Sequence, residues 1–298
     1  MPSAPFYVLD SFTRTRYAGN PAGVVLPDVW LTETQMRGFA GEMHLETAFV
    51  LPSDDPSADF VACYYTATDR IPLCGHDTIA LATVLAHTGA IRPPTTLRLR
   101  TDVGILAVSV AEDLAVTMDL ALPTYGEAVD PAEAAEALGL PLSEITDTGL
   151  PVQIVSTGNP FLVVPVSHRA AISALAPDMN ALIAYGDGFE EALAGFYVWT
   201  AETESADAQV HARCFCPAVA LPEDPATGTA SGAVGAYLAR YGQLTPAADG
   251  SLNLRTEQGH AMGRPGSVGV RLEMDGGAIA RVQVSGYAAL VAEGRVWL

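Results

Sequence analysis

The chain has 298 residues, of which 49% are hydrophobic and 16% charged, and its formal charge is −19. This balance describes a globular protein with ample core and argues against nucleic-acid binding, which needs clustered Lys and Arg against the phosphates. Lysine is absent, which removes Schiff-base chemistry, a pyridoxal-phosphate anchor and the lysine of a phosphate-binding P-loop.

The length favours two domains. No apolar run is long enough to span a membrane, and the first residues lack the basic and apolar regions of a secretory leader, so a cytoplasmic location is expected. The four cysteines, Cys63, Cys74, Cys214 and Cys216, read as free thiols in that setting.

In chain order, residues 6–11 predict a strand, 18–23 a turn and 24–26 a further extended run. Thr32 and Gln35 form a capping box for a helix over 32–43, with apolar residues at helical spacing. Residues 44–51 read as extended, with Glu46, Ala48 and Val50 on one face, and 60–66 as a strand. A turn-then-helix unit follows over 71–89, closed by a glycine. Strands are expected at 97–101, 105–110 and 115–119. Residues 123–130 mark the domain boundary, followed by a short helix capped by Asp130 with Pro131 at its first position.

The second half opens with extended runs at 152–155 and 156–164. Helices are expected near 168–175 and 178–185, and strands at 196–200 and 210–216. Residues 222–242 read as a carboxylate-bearing loop, a Gly-rich turn and a helix of small residues, with Thr227 or Thr229 as N-cap and Gly242 as terminator. Closing strands are expected at 252–256, 268–274, 280–285 and 295–298.

The two halves echo each other. Gly19-Asn-Pro-Ala-Gly-Val-Val is matched by Gly158-Asn-Pro-Phe-Leu-Val-Val. Cys74-Gly-His-Asp-Thr-Ile-Ala-Leu-Ala is matched by Thr227-Gly-Thr-Ala-Ser-Gly-Ala-Val-Gly, 227 − 74 = 153 residues later. The order of the motifs is the same in both halves. The expectation is two pseudo-symmetric domains, 1–122 and 123–298, facing each other across a cleft. The last strand, about 288–298, is a candidate to return to the first domain. Two helix N-termini, one in the 71–89 unit and one in the 222–242 unit, would present free N–H groups to a small carboxylate without any lysine.

The candidate chemistry rests on few residues. Glu46 sits in an apolar stretch, where loss of water lets a carboxyl exchange protons near neutral pH, set against the alternative of an ordinary Glu on an exposed strand face. Asp224 offers a second carboxylate, set against the alternative of a turn-forming Asp. His76 could hold a substrate carboxylate or polarise a carbonyl, set against the alternative of a helix-capping histidine with no chemistry. A metal site is not expected, because His76 and Asp77 have no evident third ligand. A two-thiol racemase needs two facing cysteines, and Thr227 stands where the partner of Cys74 would be.

Taken together these motifs resemble the PhzF-like family of phenazine-biosynthesis isomerases. They are Asp10-Ser-Phe-Thr, Gly19-Asn-Pro-Ala-Gly, Glu46-Thr-Ala-Phe-Val, Leu73-Cys-Gly-His, Thr157-Gly-Asn-Pro, Glu223-Asp-Pro-Ala-Thr-Gly-Thr-Ala, Glu257-Gln-Gly and Met262-Gly-Arg-Pro. The resemblance implies an α+β, diaminopimelate epimerase-like fold: two pseudo-symmetric domains, each a curled, largely antiparallel sheet around a central helix, with the site between them. It implies a cofactor-independent isomerase that moves a proton on a small carboxylate-bearing substrate, as trans-2,3-dihydro-3-hydroxyanthranilate isomerase does. Glu46 would be the single acid/base; His76, Asp224, Thr229, Gly75 and Gly228 would bind substrate. A homodimer is implied, with no metal, nucleic-acid or membrane partner. The family usually has Ala where this chain has Asp77, and Ser where it has Thr229. The alternatives are an amino-acid epimerase or racemase of the same fold, and a non-catalytic small-molecule binding protein.

Overall fold

The computed structural model describes residues 3–219 and 221–297. Backbone packing divides the chain into two compact units, Met1–Asp119 with Ser285–Leu298, and Leu120–Val284. The first unit contains β1 (Ser3–Ser11), β2 (Asn20–Val25), α1 (Glu33–Met43), β3 (Thr47–Pro52), β4 (Phe60–Tyr65), β5 (Arg70–Ile71), α2 (Gly75–His87), β6 (Thr95–Thr101), β7 (Gly104–Val110) and β8 (Val116–Leu120). The second runs through β9 (Thr124–Val129), α3 (Pro131–Leu138), α4 (Leu142–Thr146), β10 (Val152–Ser156), β11 (Pro160–Pro165), α5 (Arg169–Ser173), α6 (Met179–Gly186), β12 (Gly195–Thr200) and β13 (Val210–Cys216). It continues with β14 (Leu221–Asp224), α7 (Gly228–Arg240), β15 (Leu252–Gln258), β16 (Gly266–Asp275) and β17 (Ala278–Gly286). The chain then returns to the first unit as β18 (Ala288–Trp297), antiparallel to β1. Leu298, the last residue of the expected final strand, lies outside the described residues.

The sequence echo has a counterpart in topology. In the first unit β1 and β2 are antiparallel, β2 and β3 parallel, β3 and β4 antiparallel, β4 and β6 parallel, and β6 and β7 antiparallel. In the second, β10, β11, β12, β13, β15 and β16 repeat that alternation in the same order. A short strand and a 13-residue helix lie at the same point of each series: β5 and α2 in one, β14 and α7 in the other.

Each of those helices is the core of its unit. Every residue of α2 from Asp77 to Leu85 is buried, and α2 packs on β1, β2, β3, β7 and β18. In α7 the buried stretch runs from Ala230 to Leu238, and the helix packs on β10, β11, β15 and β16. A helix apolar all round is a buried helix. Each large aliphatic side chain so buried, Ile79 and Leu81 among them, is worth about 1.5–3 kcal/mol. The other face of the first sheet is covered by α1, whose capping box at Thr32 and Gln35 is fully formed. There Phe6, Phe39, Phe49 and Tyr65 stack edge to face in succession.

Three expectations change. The turn expected over 18–23 is shorter, because β2 already begins at Asn20. The boundary stretch holds a strand, β9, most of whose residues are exposed or half-exposed. Residues 222–224 belong to β14 rather than to a loop. Among the described residues no helix is long and apolar enough to cross a membrane.

Candidate active site

The first cluster assembles where α1 ends and α2 begins. His44 closes α1 in a left-handed conformation at φ 52°, which turns the chain into β3. Glu46 therefore precedes the strand instead of lying on its face. Its carbonyl accepts from the Gly23 N–H at 2.8 Å, so β2 sets its height. A Cβ on Gly23 would stand 2.6 Å from Thr47 Oγ1, so only glycine lets β2 approach this closely.

Cys74 is the N-cap of α2, extended at φ −120°, and its side chain leaves the helix N–H groups alone. The thiol instead donates to Glu46 Oε2 at 3.1 Å and lies 3.3 Å from His76 Nδ1. His76 Nε2 is 3.7 Å from Glu46 Oε2 and 3.5 Å from Asp77 Oδ1. The Ser11 hydroxyl donates to the His76 carbonyl at 2.7 Å. The Thr78 hydroxyl donates to the Cys74 carbonyl at 2.7 Å and meets the buried Tyr64 hydroxyl at 2.8 Å. This network holds the first turn of α2 in place.

The electrostatics follow from burial. Asp77 is completely buried, and neither of its carboxylate oxygens has a hydrogen bond. Burial pushes its carboxyl up to about 7, against the opposing charge of His76. Burial likewise pushes the Cys74 thiol well above its ordinary range, and the carboxyls of Asp77 and Glu46 add to the effect. The side chain of Glu46 keeps 32% of its exposure and His76 11%, so these two groups face outward from a closed floor.

The second cluster lies at the start of α7. Thr227 is the N-cap, and Thr229 is not. Like Cys74, Thr227 makes no side-chain cap; its hydroxyl donates to Asp224 Oδ2. Gln258 completes the loop: its amide donates to the Asp224 carbonyl at 2.6 Å, and its oxygen accepts from the Thr227 N–H at 3.2 Å. The hydroxyl of Ser231 donates to the Thr227 carbonyl, as that of Thr78 does to the Cys74 carbonyl. The carbonyl of Thr229 accepts from Thr157, while its side chain is half-buried.

Of the predicted residues, the structure gathers Glu46, Gly75 and His76 in the first unit and Asp224, Gly228 and Thr229 in the second. The two adjacent carboxylates of the opening loop are separate in role. Glu223 forms a two-pronged pair with Arg213 at 2.8 and 2.7 Å, and Asp224 points the other way along the strand into the Thr227 turn. Sequence reasoning missed Gln258 and the Cys74–Glu46 contact. The motif Glu257-Gln-Gly signalled the former; nothing in the spacing of residues 46 and 74 signals the latter.

Comparison with known proteins follows the same lines. The profile of the PhzC-PhzF family, phenazine biosynthesis-like protein, matches residues 9–294. The trans-2,3-dihydro-3-hydroxyanthranilate isomerase of Pseudomonas chlororaphis is 31% identical, over 98% of this chain and 99% of that one. A Bacillus anthracis phenazine biosynthesis protein of the PhzF family superposes with a TM-score of 0.89 at 29% identity, covering both chains completely. A hydroxyproline epimerase from Agrobacterium vitis shares the fold, with a TM-score of 0.63 at 14% identity over 99% of this chain and 92% of its own.

Proposed function

The chain belongs to the phenazine biosynthesis-like, PhzC-PhzF family of isomerases, and from that premise we propose that Glu46 moves a proton on a small carboxylate-bearing substrate, without a cofactor. The observation that carries the reading is the Glu46 carboxylate itself. It is partly exposed, accepts a hydrogen bond from a buried thiol and stands beside an imidazole. Such a group can take a proton from one carbon and return it to another while the thiol and imidazole hold it in place. The open space in front of Gly75 leaves room for a ligand at the N-terminal N–H groups of α2. His76, Asp224, Gly228 and Thr229 are the further substrate-binding positions of the proposal.

The test uses trans-2,3-dihydro-3-hydroxyanthranilate in deuterated water. Wild type is expected to isomerise it with deuterium entering the product. Glu46→Gln is expected to lose about 10²–10⁴-fold in turnover, the usual contribution of a general acid/base. A Glu46→Gln enzyme that still incorporates deuterium at the wild-type rate would overturn the single-base mechanism. Cys74 alone suggests an epimerase, but Thr227 at the corresponding N-cap offers a hydroxyl already donated to Asp224, too weak an acid to mirror a thiol. Chiral chromatography of amino acids incubated with the protein separates the two readings.

A further inference from the structure

The residues around the start of α2 form a donor set that the chain does not show as a linear motif. Cys74, His76 and Asp77 come from the helix start, and Glu46 comes from the segment before β3. Their ligand atoms all lie within 4.8 Å of one another. Cys74 Sγ is 3.1 Å from Glu46 Oε2 and 3.8 Å from His76 Nε2. His76 Nε2 is 3.7 Å from Glu46 Oε2 and 3.5 Å from Asp77 Oδ1. Zinc bonds of about 2.0–2.3 Å put tetrahedral ligands about 3.3–3.7 Å apart, so these four of the six edges are already close to those of a zinc tetrahedron, and the other two lie within 4.8 Å.

Asp77 supplies the second, independent sign. A carboxylate with no exposed surface and no hydrogen bond to either oxygen is costly to bury. It is oriented toward His76 Nε2, where a cation held by the other three donors would meet it. The sequence argument against a metal was the lack of a third ligand beside His76 and Asp77; the fold brings two, Glu46 and Cys74.

We propose that Glu46, Cys74, His76 and Asp77 form a site for a single zinc ion, and that zinc bound there blocks Glu46. A mixed set of one sulfur, one nitrogen and two oxygens suits zinc, whereas magnesium and calcium take oxygen ligands. On binding, the S–H bond of Cys74 breaks, its proton leaves to solvent and the thiolate sulfur bonds the metal. The metal then occupies the Glu46 lone pair that the hydrogen bond from the thiol now uses. Zinc binding does not depend on the isomerase reading; only its inhibitory effect does.

The experiment titrates the chelator-treated full-length protein with Co²⁺ as a spectroscopic probe and then with Zn²⁺ in competition with a chromophoric chelator. One Co²⁺ per chain is expected, with tetrahedral visible bands and a thiolate-to-metal charge-transfer band, all displaced by Zn²⁺. Cys74→Ser is expected to abolish the charge-transfer band. Asp77→Asn is expected to weaken zinc by at least about tenfold, the scale of losses at metal-site partners. Circular dichroism selects variants that fold, and the wild-type spectrum decides even if neither does. The absence of a thiolate band in wild type, or zinc affinity unchanged in a folded Asp77→Asn, overturns the proposal. Failure of the Glu46→Gln isotope test would leave the cobalt spectrum untouched, so the two readings fail separately.

Discussion

Glu223 and Asp224 are neighbours in the chain with different tasks. The Arg213 guanidinium is buried, donates twice to Glu223 and also donates to the Ile172 and Leu175 carbonyls. Glu223→Ala leaves that charge unpaired in the interior and is expected to cost about 3–5 kcal/mol, read by chemical denaturation. Asp224→Asn keeps an oxygen to accept from Thr227 and adds no buried charge. It is expected to leave stability within about 1 kcal/mol of wild type, since the neutral hydrogen bond is worth about that much. On the proposed function it raises KM instead, and steady-state kinetics beside a thermal melt separates the two effects. From the sequence only Asp224 was a candidate, and Glu223 was its neighbour in the same motif. What distinguishes them is an Arg ten residues upstream, on the neighbouring strand β13, which no local pattern reveals.

At the level of elements, the reading from sequence succeeded where a signal is local. The capping box of α1 and the Asp130 cap with Pro131 in α3 are both present. It failed where tertiary pairing decides. β9 has almost no buried face, so it shows no alternation to detect, and β14 carries a Pro that demotes a strand to an edge. The placement of Glu46 is another case, because it depends on the parallel register of β2 and β3, with Gly23 opposite Thr47. Gly23→Ala pushes its new Cβ against the buried Thr47 hydroxyl. Overpacking of this kind costs about 1–3 kcal/mol. Turnover is expected to fall further than the loss of stability explains, because Glu46 directly precedes Thr47. A variant with normal kcat and a lowered melting temperature would show that β3 absorbs the strain without moving the carboxylate.

At the scale of the molecule, the duplicated strand order was legible because its motifs recur in order, whereas the acid sensitivity of the second unit was not. Burial holds the imidazole of His211 below its ordinary range, over the opposing hydrogen bond and charge of Glu257, with His260 acting in the same direction as burial and Glu204 against it. Burial pushes Glu257 up, but the N–H of Glu204, His211 and the N–H of Ser205 outweigh it and hold the carboxyl below its usual range. Both groups bind protons more readily when unfolded. Their contribution is complete above about pH 6.5, is lost first through His211 as the pH falls, and then through Glu257 below about pH 4.5. These two groups lower the melting temperature as the pH falls from neutral to about 4, while Asp77, whose raised carboxyl binds a proton more readily when folded, acts the other way over that range. His211→Gln is therefore expected to lose less stability than wild type between about pH 6.5 and about pH 5. A separate consequence follows from the ladder between β1 and β18, where Ser3 stands opposite Trp297. A short linker can join these two positions, and the exposed residues Ala121 and Leu122 offer a place to cut. The resulting circular permutant, beginning at Ala121 and ending at Leu120, would carry the second unit first and the first unit as one uninterrupted run. It is expected to unfold as cooperatively as the parent, which would make the split of the first unit an accident of where the chain was opened.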